Sequence, residues 1–132
     1  MTEQSTIDVL NNRAETTLKL CSRGFSSYDA EDNNYIVEIK NRRVYYSEKL
    51  LEASKLFVNY QKSQIKGKDF LYVVTDNKGV WVYNISKNID TIVNMSVRAF
   101  TCPMTTDFSK NGKITKYSYV LPEFMAKLIT PL

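Results

Sequence analysis

The segment Asp69-Phe-Leu-Tyr-Val-Val-Thr-Asp76 does most to limit what this chain can fold into. It is a near-continuous run of β-branched and aromatic residues, the mark of a strand buried at the centre of a sheet. Upstream, Leu50, Leu51, Ser54, Phe57, Val58, Gln61 and Ile65 trace a mostly apolar helical stripe. Ser47 is a good N-cap for that helix, and Glu48 complements the positive end of its dipole. Lys66-Gly67-Lys68 ends it with basic residues and a glycine stop. Downstream, Asn77-Lys78-Gly79 turns the chain back into Val80-Trp-Val-Tyr-Asn84 as a hairpin partner.

A second hairpin precedes the helix. Asn33-Asn34 suits a two-residue turn with positive φ at both central positions. With that turn Asp32 faces Tyr35, Asp29 lies opposite Glu38, and the return strand runs Tyr35-Ile-Val-Glu-Ile-Lys40. Directly opposed residues share a face, as do residues two apart on one strand, so Asp29, Glu38 and Lys40 converge. Val37 and Ile39 take the other face and are free to pack. Two adjacent carboxylates repel each other unless a cation intervenes, and a divalent metal beside a lysine supplies that charge. Strand, crossover helix and buried strand together predict parallel pairing of the Glu38 strand with the Phe70–Thr75 strand.

The flanks are simpler. Glu3 to Ala14 reads as a helix with Ile7, Leu10 and Ala14 on one face, and Thr16 to Cys21 either extends it or forms a short strand. Val97 to Thr105 and Ile114 to Leu121 read as a hairpin turning around Ser109-Lys-Asn-Gly112, and Glu123 to Leu128 as a short helix after Pro122.

The 132 residues suffice for one domain with its own core. Lacking histidine altogether, the chain has no histidine triad, no histidine zinc site and no histidine general base. Hydrolytic chemistry must rest on carboxylates, lysine, tyrosine or serine, and an oxygen-rich site points to Mg²⁺ or Mn²⁺ rather than zinc. The net charge of +4 is a mild basic bias compatible with nucleic acid. Cys21 and Cys102 read as buried reduced thiols, Cys102-Pro103 as structural. No apolar stretch approaches the ~18 residues of a membrane span, and the N-terminal residues lack a signal peptide's regions, so the expected setting is the cytoplasm, with no membrane partner.

Helix, hairpin bearing Asp29 and Glu38-x-Lys40, helix, then buried strand resembles the core of the PD-(D/E)XK nuclease superfamily, which includes restriction endonucleases and phage Holliday-junction resolvases. The resemblance covers about residues 6–84 and implies an α/β fold: a restriction-endonuclease-like core, a mixed β-sheet flanked by helices in the order αβββαβ, with residues 85–132 as a C-terminal β-hairpin extension. It implies a metal-dependent nuclease acting on DNA, RNA not being excluded, at branched or damaged structures in a bacterial or phage-infected cell, with a homodimer as the expected assembly. By the same resemblance Asp29 and Glu38 bind Mg²⁺ or Mn²⁺, the Ile39 carbonyl is an additional ligand, and Lys40 activates the attacking water. Some members add a glutamate from the first helix, for which Glu15 is the candidate. Tyr28 stands where the family has a proline before the aspartate, which leaves Asp32 as the alternative to Asp29.

Arg42, Arg43, Lys49 and Lys55 lie just beyond the motif and are candidate phosphate contacts, or ordinary solubilising charges. Tyr45, Tyr46 and Trp81 are candidates for base stacking or for the core. The alternative function is a non-catalytic module on the same fold that binds nucleic acid or protein.

Overall fold

The computed structural model describes residues 1–22, 26–103 and 113–130. Helix α1 (Glu3–Arg13) starts at a capping box in which the Thr2 hydroxyl accepts from the Ser5 N–H and the Ser5 hydroxyl from the Thr2 N–H. It stops at Ala14, and Glu15 follows at φ 57°, a left-handed conformation that breaks the helical path. Residues 16–21 therefore do not extend the helix. Asn11 instead grips Leu18 through both its N–H and its carbonyl, leading the chain into β1 (Lys19–Leu20).

A turn forms at Asn33-Asn34, but without the positive φ expected at both asparagines: among the described residues Glu15 is the only non-glycine at positive φ, and Asp32 closes the turn instead. Asp32 donates its N–H to the Tyr35 carbonyl, and its carboxylate accepts from the Asn34 and Tyr35 N–H groups. The turn joins β2 (Ala30–Glu31) to β3 (Tyr35–Asn41), with Ala30 opposite Val37.

The next segment differs from the sequence expectation. Lys49–Glu52 is not the first turn of a helix capped by Ser47 but a strand, β4, and helix α2 runs only from Ala53 to Lys66. A partner distant in sequence decides this: β4 pairs residue for residue with β8 (Lys113–Leu121), Leu51 opposite Tyr119. Both Leu51 and Tyr119 are buried by that pairing. Gly67, at φ 67°, then closes α2 in the left-handed conformation glycine adopts without strain.

The apolar run becomes β5 (Asp69–Asp76), parallel to β3 with Glu38 opposite Tyr72, and β6 (Gly79–Asn84) returns antiparallel. A short helix α3 (Ile89–Val93) follows, then β7 (Arg98–Pro103), antiparallel to β8. The expected turn at Ser109–Gly112 lies outside the described residues. Glu123 to Leu128 is not a helix: a 3-10 turn at Glu123–Met125 leads into β9 (Lys127–Ile129), which pairs with β6. A Cβ at Gly79 would collide with the Ile129 carbonyl, so this close approach needs glycine.

The result is an α/β molecule with a six-stranded mixed sheet in the order β1-β2-β3-β5-β6-β9 and a three-stranded sheet β4-β8-β7. Ile7 and Leu10 of α1 pack with Val37, Ile39 and Val73 on one face of the larger sheet. On the other face, Ile36, Phe70 and Tyr72 pack with Leu56 of α2 and with Leu51, Tyr119 and Leu121 of the smaller sheet. The C-terminal segment is thus no appendage: β8 completes a sheet with β4, and β9 forms an edge of the main sheet. Among the described residues no helix is long and apolar enough to cross a membrane.

Candidate active site

Alternation along β3 sends Val37 and Ile39 toward α1 and leaves Glu38 facing the α2 side. Glu38 is only 8% exposed. Burial, reinforced by the negative charge of Asp29, raises its carboxyl to about 7, while Lys55 at 3.5 Å opposes that shift.

Asp29 reaches Glu38 by a route the simple register did not anticipate. Its N–H donates at 2.8 Å to the carbonyl of Val37, which Ala30 already partners, so two residues of the first strand face one on β3. That bulge ends the ladder and turns the Asp29 side chain across the edge of β3, where its carboxylate accepts the Ile39 N–H at 2.7 Å. In a strand the N–H and C=O of one residue point to the same edge, so the Ile39 carbonyl shares the edge that Asp29 occupies. Asp32 is committed to the turn and to the Thr17 N–H.

Lys40 stands at an exposed position two residues beyond Glu38 on β3. Partial burial of its ammonium and the positive charges of Arg42, Lys55 and Lys116 hold its pKa below the ordinary lysine value, with Glu52 acting the other way. Glu38, Lys40, Arg42 and Lys55 line a cleft of about 250 Å³ whose far wall carries Phe100 and Lys116. Lys116 is held by Glu52 at 3.1 Å.

Other expected positions lie elsewhere. Glu15 is exposed beyond the end of α1. The helix does supply an acidic residue, but it is Glu3, whose charge adds to the rise at Glu38 and which lines a neighbouring groove together with Asp29. Arg43 is exposed and does not line the cleft. Lys49 is not a surface cation at all. It is 2% exposed, bonded to Glu123 at 2.6 Å and to the Tyr46 carbonyl, and lies 4.1 Å and 4.2 Å from the ring centroids of Tyr45 and Trp81. Tyr45 and Trp81 thereby belong to the packing around a buried ammonium, whereas Tyr46 is exposed with the Arg42 guanidinium over its ring. Cys21 is a free, half-buried thiol raised above its ordinary value chiefly by burial.

Glu3, Glu52, Phe100 and Lys116 escaped sequence reasoning. The last three reach the cleft only because β4 pairs with β8 and β8 with β7. A signal existed for Glu3 alone, an acidic residue in the first turn of a capped helix.

Among the described residues no three His, Cys, Asp or Glu side chains form a ready cage for a metal. Mg²⁺ does not require one, because it commonly takes one or two carboxylates and fills its octahedron with waters and substrate phosphate. Asp29, Glu38 and the Ile39 carbonyl are hard oxygen donors of that kind, and a bound cation would relieve the repulsion that raises Glu38. A larger groove of about 620 Å³ at the β1 edge contrasts with this cleft. There Glu31 is tied to Lys66, Lys68 and Tyr28, whose hydrogen bonds outweigh burial and lower its carboxyl to about 2, leaving no excess negative charge for a metal. The chain matches no protein-family model, and a search of curated proteins returns no match.

Proposed function

We propose that this protein is a Mg²⁺- or Mn²⁺-dependent nuclease of the PD-(D/E)XK type, hydrolysing phosphodiester bonds in DNA. The observation that carries the reading is the buried Glu38 carboxyl, raised further by the charge of half-buried Asp29 in the adjoining groove, sharing one cleft with Lys40, Arg42 and Lys116. The order helix, three strands, helix, parallel strand supports it, with β4 inserted between the hairpin and α2.

Phosphodiester hydrolysis needs an activated water, an in-line approach and neutralisation of the anion that forms. When bound, the metal lowers the pKa of an attached water and neutralises phosphoryl charge. Asp29 and Glu38 would hold it through their carboxylate oxygens, and Glu38, 8% exposed, is shielded from bulk water. Lys40 acts beside them. Its lowered pKa makes a proton relay at Nζ cheaper than for an ordinary lysine, and in its charged form it stabilises the phosphate. Arg42 and Lys116 bind the flanking phosphates.

The test is cleavage of plasmid DNA with Mn²⁺, with EDTA, and with the Lys40→Ala and Glu38→Gln variants. Cleavage that persists in EDTA or in Lys40→Ala removes the mechanism. One observation favours the second reading, a non-catalytic nucleic-acid-binding module: Lys55 already sits 3.5 Å from Glu38 and partly supplies the positive charge that a metal would bring. Under that reading titrated Mn²⁺ leaves thermal stability unchanged.

A further inference from the structure

The cleft over Glu38 encloses about 250 Å³, at or below the small end of small-molecule pockets. Glu38 and Tyr72, 8% and 5% exposed, are among its most buried lining groups and make its floor, while Lys40 and Arg42 line it on one side and Phe100 and Lys116 of the small sheet on the other. Duplex DNA is stiff over about 150 base pairs and carries its phosphates on the outside of the rod. A duplex phosphate therefore does not reach a carboxylate recessed between two walls unless the duplex is opened. A single strand bends at every nucleotide and can place one phosphate on the floor.

The far wall has what such a strand uses. Phe100 of β7 lies directly opposite Lys116 of β8, so ring and ammonium stand side by side on one face. Arg98, two residues before Phe100 on the same face, has its guanidinium 5.2 Å from the ring centroid. An aromatic ring beside backbone-tracking cations is the pattern by which proteins hold unpaired strands, bases stacking on the ring and phosphates meeting the charges.

Building on the nuclease reading, we propose that the substrate is single-stranded DNA, or the unpaired arm of a branched duplex, with a base stacked on Phe100 and the adjoining phosphate held by Lys40, Arg42 and Lys116. Intact duplex is a poor ligand for this cleft.

The experiment is a fluorescence-anisotropy titration in EDTA of a 20-nucleotide single strand, its blunt duplex and a forked duplex. The single strand and the fork are expected to bind at least about tenfold tighter than the blunt duplex. Stacking per base is worth about 5- to 150-fold in affinity, so Phe100→Leu, which keeps an apolar side chain in the strand, should weaken single-strand binding within that range. It should leave the weak duplex binding unchanged, and Phe100→Tyr should retain wild-type affinity. Circular dichroism of each variant confirms that it folds. Equal affinity for strand and duplex, or single-strand binding indifferent to Phe100→Leu, overturns the proposal. Adding Mn²⁺ separates the two claims. Preferential binding of single strands without cleavage of any substrate sinks the nuclease reading and leaves the strand preference standing. Cleavage of blunt duplex as fast as single strand does the reverse.

Discussion

Lys49 and Glu38 are both buried charges at the junction of the two sheets, and the structure treats them in opposite ways. The Lys49 ammonium has Glu123 at 2.6 Å, the Tyr46 carbonyl at 2.5 Å, Asp76 at 3.9 Å and two aromatic rings about it. Asp76 is in turn held by the Trp81 indole and the Lys78 N–H. Glu38 has a half-exposed lysine at 3.5 Å and a second carboxylate nearby. The first arrangement is a closed network in which each charge meets an opposite one. The second is a buried anion left short of positive charge. Desolvating a charge is costly unless partners repay it, so a full set of partners marks a structural group and a deficit marks a place where something else binds.

The largest expected effect falls on activity at the open site. Lys40→Ala should lower the rate of Mn²⁺-dependent DNA cleavage about 10²- to 10⁴-fold, the range for loss of one acid–base group, with an unchanged melting temperature in a thermal scan. A rate within threefold of wild type would erase the distinction between the two charges. At the closed site the loss should be one of stability. Lys49→Ala removes the buried cation that Asp76 and Glu123 share and should cost about 3–5 kcal/mol in urea denaturation. A cost below about 1 kcal/mol would show that the network is no more than a surface ion pair.

Between these lies a pH test on the metal-free protein. The Glu38 carboxyl is raised from 4.5 unfolded to about 7 folded, so the folded state binds its proton more tightly. Stability without metal therefore falls as pH rises from about 4.5 to about 7, and the full penalty applies above that. Glu38→Gln lacks it. In EDTA the variant should melt several °C above wild type at pH 8, on the order expected for one to two kcal/mol, and converge with it near pH 4.5. Mn²⁺ should raise wild type alone. A gap that does not widen with pH contradicts the strained-carboxylate account.

The smallest effect distinguishes two acids of α1. Glu3→Gln should weaken Mn²⁺ binding severalfold in calorimetry, since its charge reaches Glu38, whereas Glu15→Gln should leave binding unchanged. The opposite ranking would restore Glu15 to the site.

Much of the frame is legible in the sequence because it rests on local chemistry. The place of the Asn33-Asn34 turn is specified locally, by the Asp32 carboxylate rather than by positive φ at the asparagines, the alternation of β3 by its own residues, and the parallel pairing of β3 with β5 by the helix between them. Leu50 and Leu51 failed for a physical reason: a short apolar pair satisfies a helical stripe and a buried strand equally, and only pairing with Val120 and Tyr119 chooses the strand. Asp29 shows a finer version. The turn register brought it to the right neighbourhood, but the bulge and the hydrogen bond from Ile39 set its side chain.

By itself, then, the sequence determined the α/β class, the hairpin and its turn, the burial of β5 and the placing of Glu38 and Lys40 two residues apart on β3, because each follows from contacts among neighbours along the chain. The tertiary structure alone decided which charges are paid for. Whether a lysine is a core group or a ligand contact depends on partners far away in sequence: Glu123, 74 residues on, neutralises Lys49, while Lys116 and Phe100 come from a distant hairpin to wall the cleft over Glu38. Electrostatic free energy at a buried site is set by the sum of surrounding charges and by exclusion of water, and both are properties of the packed molecule.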